Sequence, residues 1–160
     1  FINGGIWMDI KTVLIRPLSE VFADEHDIYT VKSITNLMSG DQTCYQGILA
    51  VPPNSIFMRD MITSFLQILP HLNNIGYLTF CRQMYMYFEQ NYDNLKIGRN
   101  ISSTDLPNLR LFEEYKKNSD KCPTKLDQYN LCTFARDEHG NDVFKIRDYD
   151  FPYLSKRNIK

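Results

Sequence analysis

One stretch near the start of the chain carries most of the information about the fold. It is Gly4-Gly5-Ile6-Trp7-Met8-Asp9-Ile10-Lys11, and it is followed by Pro17-Leu18. Ile6-Trp7-Met8 is a run of large apolar residues between a glycine pair and a charged turn, which predicts a short strand buried on both faces. Such a strand would hold the Asp9 carboxylate at the edge of a sheet, where open α/β sheets bind ligands. The glycines would let a neighbouring backbone or a ligand come close. Without further evidence, Asp9 could equally cap a turn.

The composition indicates one packed domain. The chain has 160 residues, 43% hydrophobic and 13% aromatic, which is enough to bury a core. Eighteen Lys and Arg against nineteen Asp and Glu leave a formal net charge of -1, and no block of five like charges occurs, so we expect no nucleic acid partner. The apolar runs are too short to span a membrane, so any membrane attachment is expected only through a segment outside this sequence.

The four cysteines are widely spaced, at Cys44, Cys81, Cys122 and Cys132. They form no C-x-x-C pair and have no histidine at zinc-finger spacing, so a structural zinc site is not expected. Two disulfides are possible in principle, but a chain of this length does not need them. We therefore predict free, mostly buried thiols.

Strand and helix patterns both occur along the chain. Short β-branched or apolar runs predict strands at residues 12–15, 28–31 and 47–51, and a C-terminal hairpin of residues 131–135 and 143–146. Apolar residues at helical spacing predict three helices, from Asn54 or Ser55 to Pro70, from Gly76 through Phe88, and over residues 109–115. A short helical turn is expected at residues 19–22.

Residues 4–9 together with Pro17-Leu18 resemble the G-G-x-Y/W-x-D-x-D…P-L signature of the DXD-motif sugar-binding glycosyltransferases. This family includes fungal outer-chain mannosyltransferases and many bacterial capsule and large-virus enzymes. Residues 46–57 are similar to the family's block of an apolar strand, a proline turn and a helix start. Residues 76–79 and 147–153 resemble it less closely, so the resemblance covers nearly the whole chain.

The resemblance implies an α/β fold of the nucleotide-diphospho-sugar transferase type, a Rossmann-like mixed sheet between helices, present in part. Residues 1–160 would form a single glycosyltransferase-like domain, the C-terminal portion of a longer catalytic domain. The implied reaction moves a sugar from a nucleotide-sugar donor to a hydroxyl of a glycan or other acceptor, with Mn²⁺ or Mg²⁺. The protein would lie in the cytoplasm or in the secretory lumen, depending on its N-terminal part.

The resemblance also implies roles for individual residues. Asp9 would be the catalytic carboxylate, orienting the donor through a metal ion or the ribose. The implied donor-binding residues are Gly4, Gly5, Trp7, Asp9 and Lys11. Lys11 replaces the second Asp of the motif, and because an ammonium cannot ligate a cation, either metal binds poorly or Lys11 pairs with the diphosphate itself. His139 is the candidate for a second metal ligand beside Asp9.

Several assignments stay open at this stage. Trp7 could stack on a sugar or base, but an aromatic residue within an apolar strand more often belongs to the core. The chain could also be a noncatalytic sugar-binding or protein-binding module derived from a transferase. A third possibility is a metal-dependent hydrolase built on Asp9, Asp24, His26 and Asp27, although such a charged run usually forms a solvated loop. Asn100-Ile101-Ser102 is an acceptor sequence for N-glycosylation in a secreted chain.

Overall fold

The computed structural model describes residues 2–10, 12–33, 42–68, 70, 79–118 and 131–146. Within these residues, eight strands form one sheet, accompanied by three helices. The strands are β1 Gly5–Met8, β2 Thr12–Leu14, β3 Ile28–Ser33, β4 Thr43–Val51, β5 Gly98–Asn100, β6 Leu109–Asn118, β7 Leu131–Arg136 and β8 Asp142–Ile146. The helices are α1 Leu18–Val21, α2 Ile56–Ile68 and α3 Thr79–Asn91.

The sheet curls into a nearly closed barrel. Its strand order is β1-β4-β3-β6-β7-β8-β2, with β5 added to β6. Although β1 and β2 are the two ends of this order, only residues 9–11 connect them in the chain. The sheet must therefore bend until its two edges approach each other. Among the strand pairs described, only β3 with β6 is parallel.

The expected transferase-type fold, a Rossmann-like sheet between helices, is wrong. Such a fold repeats a strand–helix–strand crossover between parallel neighbours. Here consecutive strands pair antiparallel in β3–β4, β6–β7 and β7–β8, and the parallel β3–β6 pair has β4, α2, α3 and β5 between its members in the chain. The structure is mostly sheet, and a curled antiparallel arrangement replaces the expected open sheet.

Among the described residues, two large apolar cores lie on opposite faces of this sheet, and a small cluster of Phe134 and Tyr115 is separate from both. The outer core, between the sheet and the two longer helices, includes Ile28, Cys44, Phe57, Met61, Met84, Phe88, Leu109 and Leu111. The inner core, within the barrel, includes Val21, Tyr29, Val31, Ile48, Ala50, Phe112, Ala135, Val143 and Phe144. Because successive side chains of a strand point to opposite faces, β3, β4 and β6 contribute to both cores.

Most predicted elements are confirmed, with one helix exchanged for a strand. The helix starting near Asn54 or Ser55 is α2, and Ser55 Oγ accepts a hydrogen bond of 3.4 Å from the Met58 backbone N–H. The helix predicted over residues 109–115 is strand β6. Leu109 and Leu111 face the outer core while Phe112 faces the inner one. Because this strand is buried on both faces, its apolar residues include some at the three-residue intervals that are typical of a helix.

Two other expectations concern burial. β1 is an edge strand, and Trp7 is 66% exposed, so the prediction that this strand is buried on both faces is wrong.

Cys44 and Cys81 are free and buried, as predicted, whereas Cys122 lies outside the described residues and the Cys132 side chain is not described. Burial raises the pKa of the Cys44 thiol, and the nearby Cys81 thiol raises it further, so Cys44 is a poor nucleophile. No described helix has the length and hydropathy of a membrane-spanning segment.

Candidate functional site

A groove of about 630 Å³ lies between the β1–β4 edge and the two longer helices. Its lining residues come from β1, β4, α2 and α3 and from the turn after β1, namely Trp7, Asp9, Gln46, Gly47, Leu49, Met58 and Phe80. This volume is within the range of small-molecule sites, roughly 300 to 1,000 Å³. The front motif therefore contributes its aspartate and its tryptophan to one concave surface.

The β1–β4 pairing places both residues there. Trp7 pairs with Leu49, and the Asp9 backbone N–H donates a 2.7 Å hydrogen bond to the Gly47 carbonyl. Trp7 and Asp9 are two positions apart on an extended chain, so their side chains leave the same face. That face is the outer one, because Met8 between them packs against the inner core.

A bulge in β4 shapes the floor of the groove. Thr30 pairs with Leu49 while Val31 pairs with Tyr45, so residues 46–48 of β4 have no direct partner in β3. Thr30 Oγ1 donates a 3.2 Å hydrogen bond to the Ile48 carbonyl and satisfies one acceptor that the bulge leaves unpaired. Bulges commonly redirect side chains beside binding sites. Here Gln46, which belongs to the bulge, lines the groove.

The groove combines one charged, one amide and several apolar groups. The Trp7 indole is 66% exposed and offers a flat face. Asp9 and Gln46 supply oxygen acceptors and an amide donor, while Leu49, Met58 and Phe80 form an apolar wall. The arrangement suits a ligand that has polar hydroxyl or phosphate groups on one side and an apolar ring face on another.

The glycine pair lies at the far end of β1 from Asp9. A Cβ on Gly4 would be 2.6 to 2.7 Å from backbone atoms of Val51, Pro52 and Pro53, so this glycine allows two backbone segments to cross closely. A Cβ on Gly5 would meet nothing within 4 Å. Of the implied donor-binding residues, the structure thus brings together Trp7 and Asp9 but not Gly4 or Gly5. Lys11 lies outside the described residues.

His139 is not near Asp9 in the structure. It lies in the turn between β7 and β8, where its backbone N–H donates a 3.0 Å hydrogen bond to Asp137 Oδ1. Arg16 Nη1 contacts Asp137 Oδ2 at 2.9 Å, which places this turn beyond the end of β2, whereas Asp9 precedes the start of β2. A role for His139 as a ligand beside Asp9 has no geometric support here.

A divalent cation could be held in the groove by Asp9 and a ligand's phosphates. No group of three or more His, Cys, Asp or Glu placed to hold a metal occurs in the described part of the chain. Mg²⁺ and Mn²⁺ at phosphate sites often take only one or two protein carboxylates, with phosphate oxygens and waters completing the shell. The single groove carboxylate therefore fits a cation that arrives with a diphosphate and does not fit a permanent metal site.

The acidic residues of the hydrolase hypothesis belong to a separate ion-pair network. Asp27 is 2% exposed and accepts hydrogen bonds from Asn108 at 3.1 Å and from Arg110 at 3.4 Å. Arg99 contacts both Asp27, at 3.4 Å, and Asp24, at 3.3 Å. The buried charge is thereby compensated, and this network ties the start of β3 to β5 and β6. It lies at the opposite end of β1 from Asp9, so these residues do not form one centre.

The glycosylation acceptor sequence is blocked in the folded chain. Asn100 is 4% exposed, and its amide nitrogen donates hydrogen bonds to the carbonyls of Lys96 at 2.8 Å and Gly98 at 3.0 Å. A glycan on that nitrogen would require β5 to detach. The motif therefore has a structural role, closing the turn before β5.

Sequence reasoning did not identify every groove residue. Gln46 opens the segment that resembles the transferases, so its position was visible but its role was not. Met58 and Phe80 follow the helical apolar pattern and could not be distinguished from core residues. Only the packing of α2 and α3 beside the β1–β4 edge shows that these two side chains face a groove.

Comparison of the chain with known protein families, with curated proteins and with solved structures found no match. The resemblance to glycosyltransferases therefore stays a prediction.

Proposed function

We propose that the groove at Asp9 binds a sugar nucleotide and that this chain forms part of a glycosyltransferase. The supporting observation is that Asp9 and the exposed Trp7 line the same groove. In addition, residues 4–9 and 46–57, the two segments with the clearest resemblance to the family, contain the paired antiparallel strand residues Gly5–Met8 and Ile48–Val51, although they are distant in sequence. The proposal does not depend on a Rossmann-like sheet.

Asp9 would act on the diphosphate side of the donor. When the bond between the anomeric carbon and the phosphate oxygen breaks, negative charge develops on the nucleoside diphosphate that leaves. A divalent cation bound to the diphosphate would offset this charge. Asp9 would hold such a cation in place, while the acceptor hydroxyl attacks the anomeric carbon and gives its proton to the leaving diphosphate oxygen or to water.

Trp7 and Gln46 would orient the ring of the donor. The exposed indole can pack against the C–H face of a sugar or against a nucleobase. The Gln46 amide can both donate to and accept from sugar hydroxyls. Met58 and Phe80 on the opposite wall would exclude water, which strengthens the interaction of Asp9 with any charge in the groove.

The test is release of nucleoside diphosphate from uridine- and guanosine-diphosphate sugars, with MnCl₂ and simple saccharides as acceptors. We expect release by the wild-type chain and a reduction of about 100-fold or more for Asp9→Asn, since an interaction with developing charge is removed. Asp105→Asn, a change to an exposed aspartate before β6, should leave the rate unaltered. Absence of release, or equal rates for Asp9→Asn and wild type, would contradict the proposal.

A noncatalytic sugar-binding module is the second candidate. It is favoured by the 66% exposure of Trp7 in a groove where Asp9 is the only carboxylate among the described lining residues. Trp7 is the single tryptophan of the chain, so its fluorescence reports on this groove alone. Saturable fluorescence changes with saccharides, without diphosphate release from any donor, would establish this second function in place of the first.

A further inference from the structure

Gly47, in the β4 bulge, is a glycine for a steric reason. Unlike Gly4 and Gly140, it does not have a positive φ, so its backbone conformation does not require a glycine. A Cβ on Gly47 would, however, lie 2.5 Å from the Tyr45 hydroxyl oxygen and 2.6 Å from Cε1 of the same ring, whereas Cβ contacts in proteins are essentially never shorter than 3.0 Å. The Tyr45 ring therefore occupies the space that a side chain at position 47 would need.

The Tyr45 ring lies on the inner face of the sheet. Tyr45 is half-buried and packs against the inner core, and its hydroxyl oxygen is buried. The preceding residue, Cys44, points the other way, into the outer core. Because the groove is on the outer face, a Cβ at position 47 would extend away from it. Such a side chain would not block the groove directly, and any effect on a ligand would have to pass through the backbone.

That backbone holds Asp9. The Gly47 carbonyl accepts the 2.7 Å hydrogen bond from the Asp9 N–H, and the Asp9 carbonyl accepts a 2.8 Å hydrogen bond from the Thr12 N–H. The first of these bonds extends the β1–β4 ladder by one residue beyond the Met8–Ile48 pair. The position of the Gly47 carbonyl thus fixes the backbone that carries the Asp9 carboxylate.

The bulge can shift more easily than the Tyr45 ring. Residues 46–48 have no direct partner in β3, and Thr30 Oγ1 holds them from that side through its hydrogen bond to the Ile48 carbonyl. The ring, in contrast, is confined by its contacts with the inner core. A Cβ at position 47 should therefore displace the bulge, and the Gly47 carbonyl would move with it.

We propose that Tyr45 and Gly47 form a positioning pair that sets the place of Asp9 in the groove. The Tyr45 ring supports the bulge from the inner face, and Gly47 lets the ring lie close enough to do so. Tyr45 itself is not among the described residues that line the groove, so it acts through Asp9. The consequence for sugar transfer rests on the function proposed above, whereas the placement of Asp9 can be measured without any ligand.

A displaced Asp9 should affect turnover more than donor affinity. The charge that Asp9 offsets through a cation develops as the diphosphate leaves, so the interaction is stronger in the transition state than with the bound donor. A misplacement of about 1 Å can lower a rate by about 100-fold. For diphosphate release, we expect Gly47→Ala to lower kcat by about tenfold or more and to change KM by less than about threefold.

The readout that needs no ligand is hydrogen exchange of the Asp9 amide, followed by nuclear magnetic resonance on the full chain. Gly47→Ala should accelerate this exchange by about tenfold or more, because the bond to the Gly47 carbonyl is weakened. Tyr45→Leu removes the ring atoms that overlap, and because the bulge loses their support, we expect a smaller acceleration, about threefold to tenfold. In the Tyr45→Leu background, adding Gly47→Ala should change exchange and kcat by less than about threefold.

Gly140→Ala is the matched control for a general loss of stability. Residue 140 lies in the turn between β7 and β8, where the φ of 81° disfavours alanine and an added Cβ would meet nothing within 4 Å. This variant should unfold at a lower urea concentration than the wild type. Its Asp9 amide exchange, kcat and KM should stay unchanged, so displacement of Asp9 can be distinguished from reduced stability.

Two results would overturn the proposal. One is unchanged Asp9 exchange in Gly47→Ala, which would show that the Tyr45 ring moves aside and the bulge does not. The other is an equal effect of Gly47→Ala with and without the Tyr45 ring. If the exchange rates follow the expected pattern but the wild-type chain releases no diphosphate, the positioning of Asp9 is supported and the groove function fails.

Discussion

A glycine is needed at position 4 for two reasons: the backbone conformation there and the lack of space for a side chain. Its φ is 63°, in the left-handed region, and an added Cβ would overlap the backbone of residues 51–53 at 2.6 to 2.7 Å. Gly140 has a similar φ of 81°, but a Cβ there would meet nothing within 4 Å. The two positions therefore separate the cost of the left-handed conformation from the cost of a backbone clash.

We expect Gly140→Ala to lower the free energy of unfolding by about 1 kcal/mol, the usual cost of a left-handed alanine. Gly4→Ala should cost at least about 2 kcal/mol more, because backbone atoms of another segment must shift. Urea denaturation of the two variants measures the difference. Equal losses would show that residues 51–53 move aside freely and that Gly4 does not fix the β1–β4 crossing.

Trp7 shows the limit of residue-level prediction. The apolar run around it predicts a strand, and β1 is a strand. Whether the indole is buried depends on which strands flank β1, and the residues of β1 carry no information about their neighbours. The sequence predicts that the Asp9 carboxylate lies at a ligand site, and in the structure Asp9 lines a groove of the size of such sites.

The Asp137 carboxylate forms the hydrogen bonds and the ion pair that hold the turn between β7 and β8. Burial alone would raise the Asp137 pKa, but hydrogen bonds from Asn141 and from the His139 backbone, together with the Arg16 guanidinium, lower it below its ordinary value. The ionised form is thus favoured in the folded chain. Because Arg16 follows β2, this carboxylate also connects the turn to the last strand of the sheet.

Asp137 should therefore contribute to acid sensitivity. With a folded pKa below the unfolded one, its stabilisation is complete above the unfolded value, about 3.9, and is lost as the pH falls through the folded value. We expect Asp137→Asn to reduce the free energy of unfolding at pH 7 by about 1 to 2 kcal/mol and to weaken its pH dependence below about pH 4. Urea denaturation between pH 2.5 and 7 measures both, with exposed Asp105→Asn as the control. An unchanged acid slope would exclude this role.

β6 explains why one element type was misassigned. Leu109, Phe112 and Tyr115 recur at intervals of three, as on a helix, yet the buried positions include Leu111 and Glu114 as well. A central strand with apolar groups on both faces has no clear period of two, so short-range pattern cannot distinguish it from a helix. The neighbouring strands β3 and β7, which decide the outcome, are distant in sequence.

At the scale of the whole molecule, the sequence predicts where most strands lie along the chain but not which strands pair with each other. The runs at residues 12–15, 28–31 and 47–51 correspond to β2, β3 and β4, and the C-terminal hairpin to β7 and β8. The residues of these runs do not indicate that β1 pairs with β4 or that β2 pairs with β8. Those pairings close the barrel and create the groove, and they arise from burial of two cores by the same strands.

Two cores that share β3, β4 and β6 should unfold as one unit, because neither can lose its strands without exposing the other. Phe57 belongs to the outer core and Phe144 to the inner core, and both are fully buried. We expect Phe57→Leu and Phe144→Leu each to lower the free energy of unfolding by about 1.5 kcal/mol and to shift the same single transition. Trp7 fluorescence, which reports on the groove beside β1, and far-ultraviolet circular dichroism, which reports on all helices and strands, should therefore give coincident urea curves for both variants. If the fluorescence and circular dichroism curves of Phe57→Leu separated, the helices and the outer core would form an independent unit, and the groove would open without the barrel.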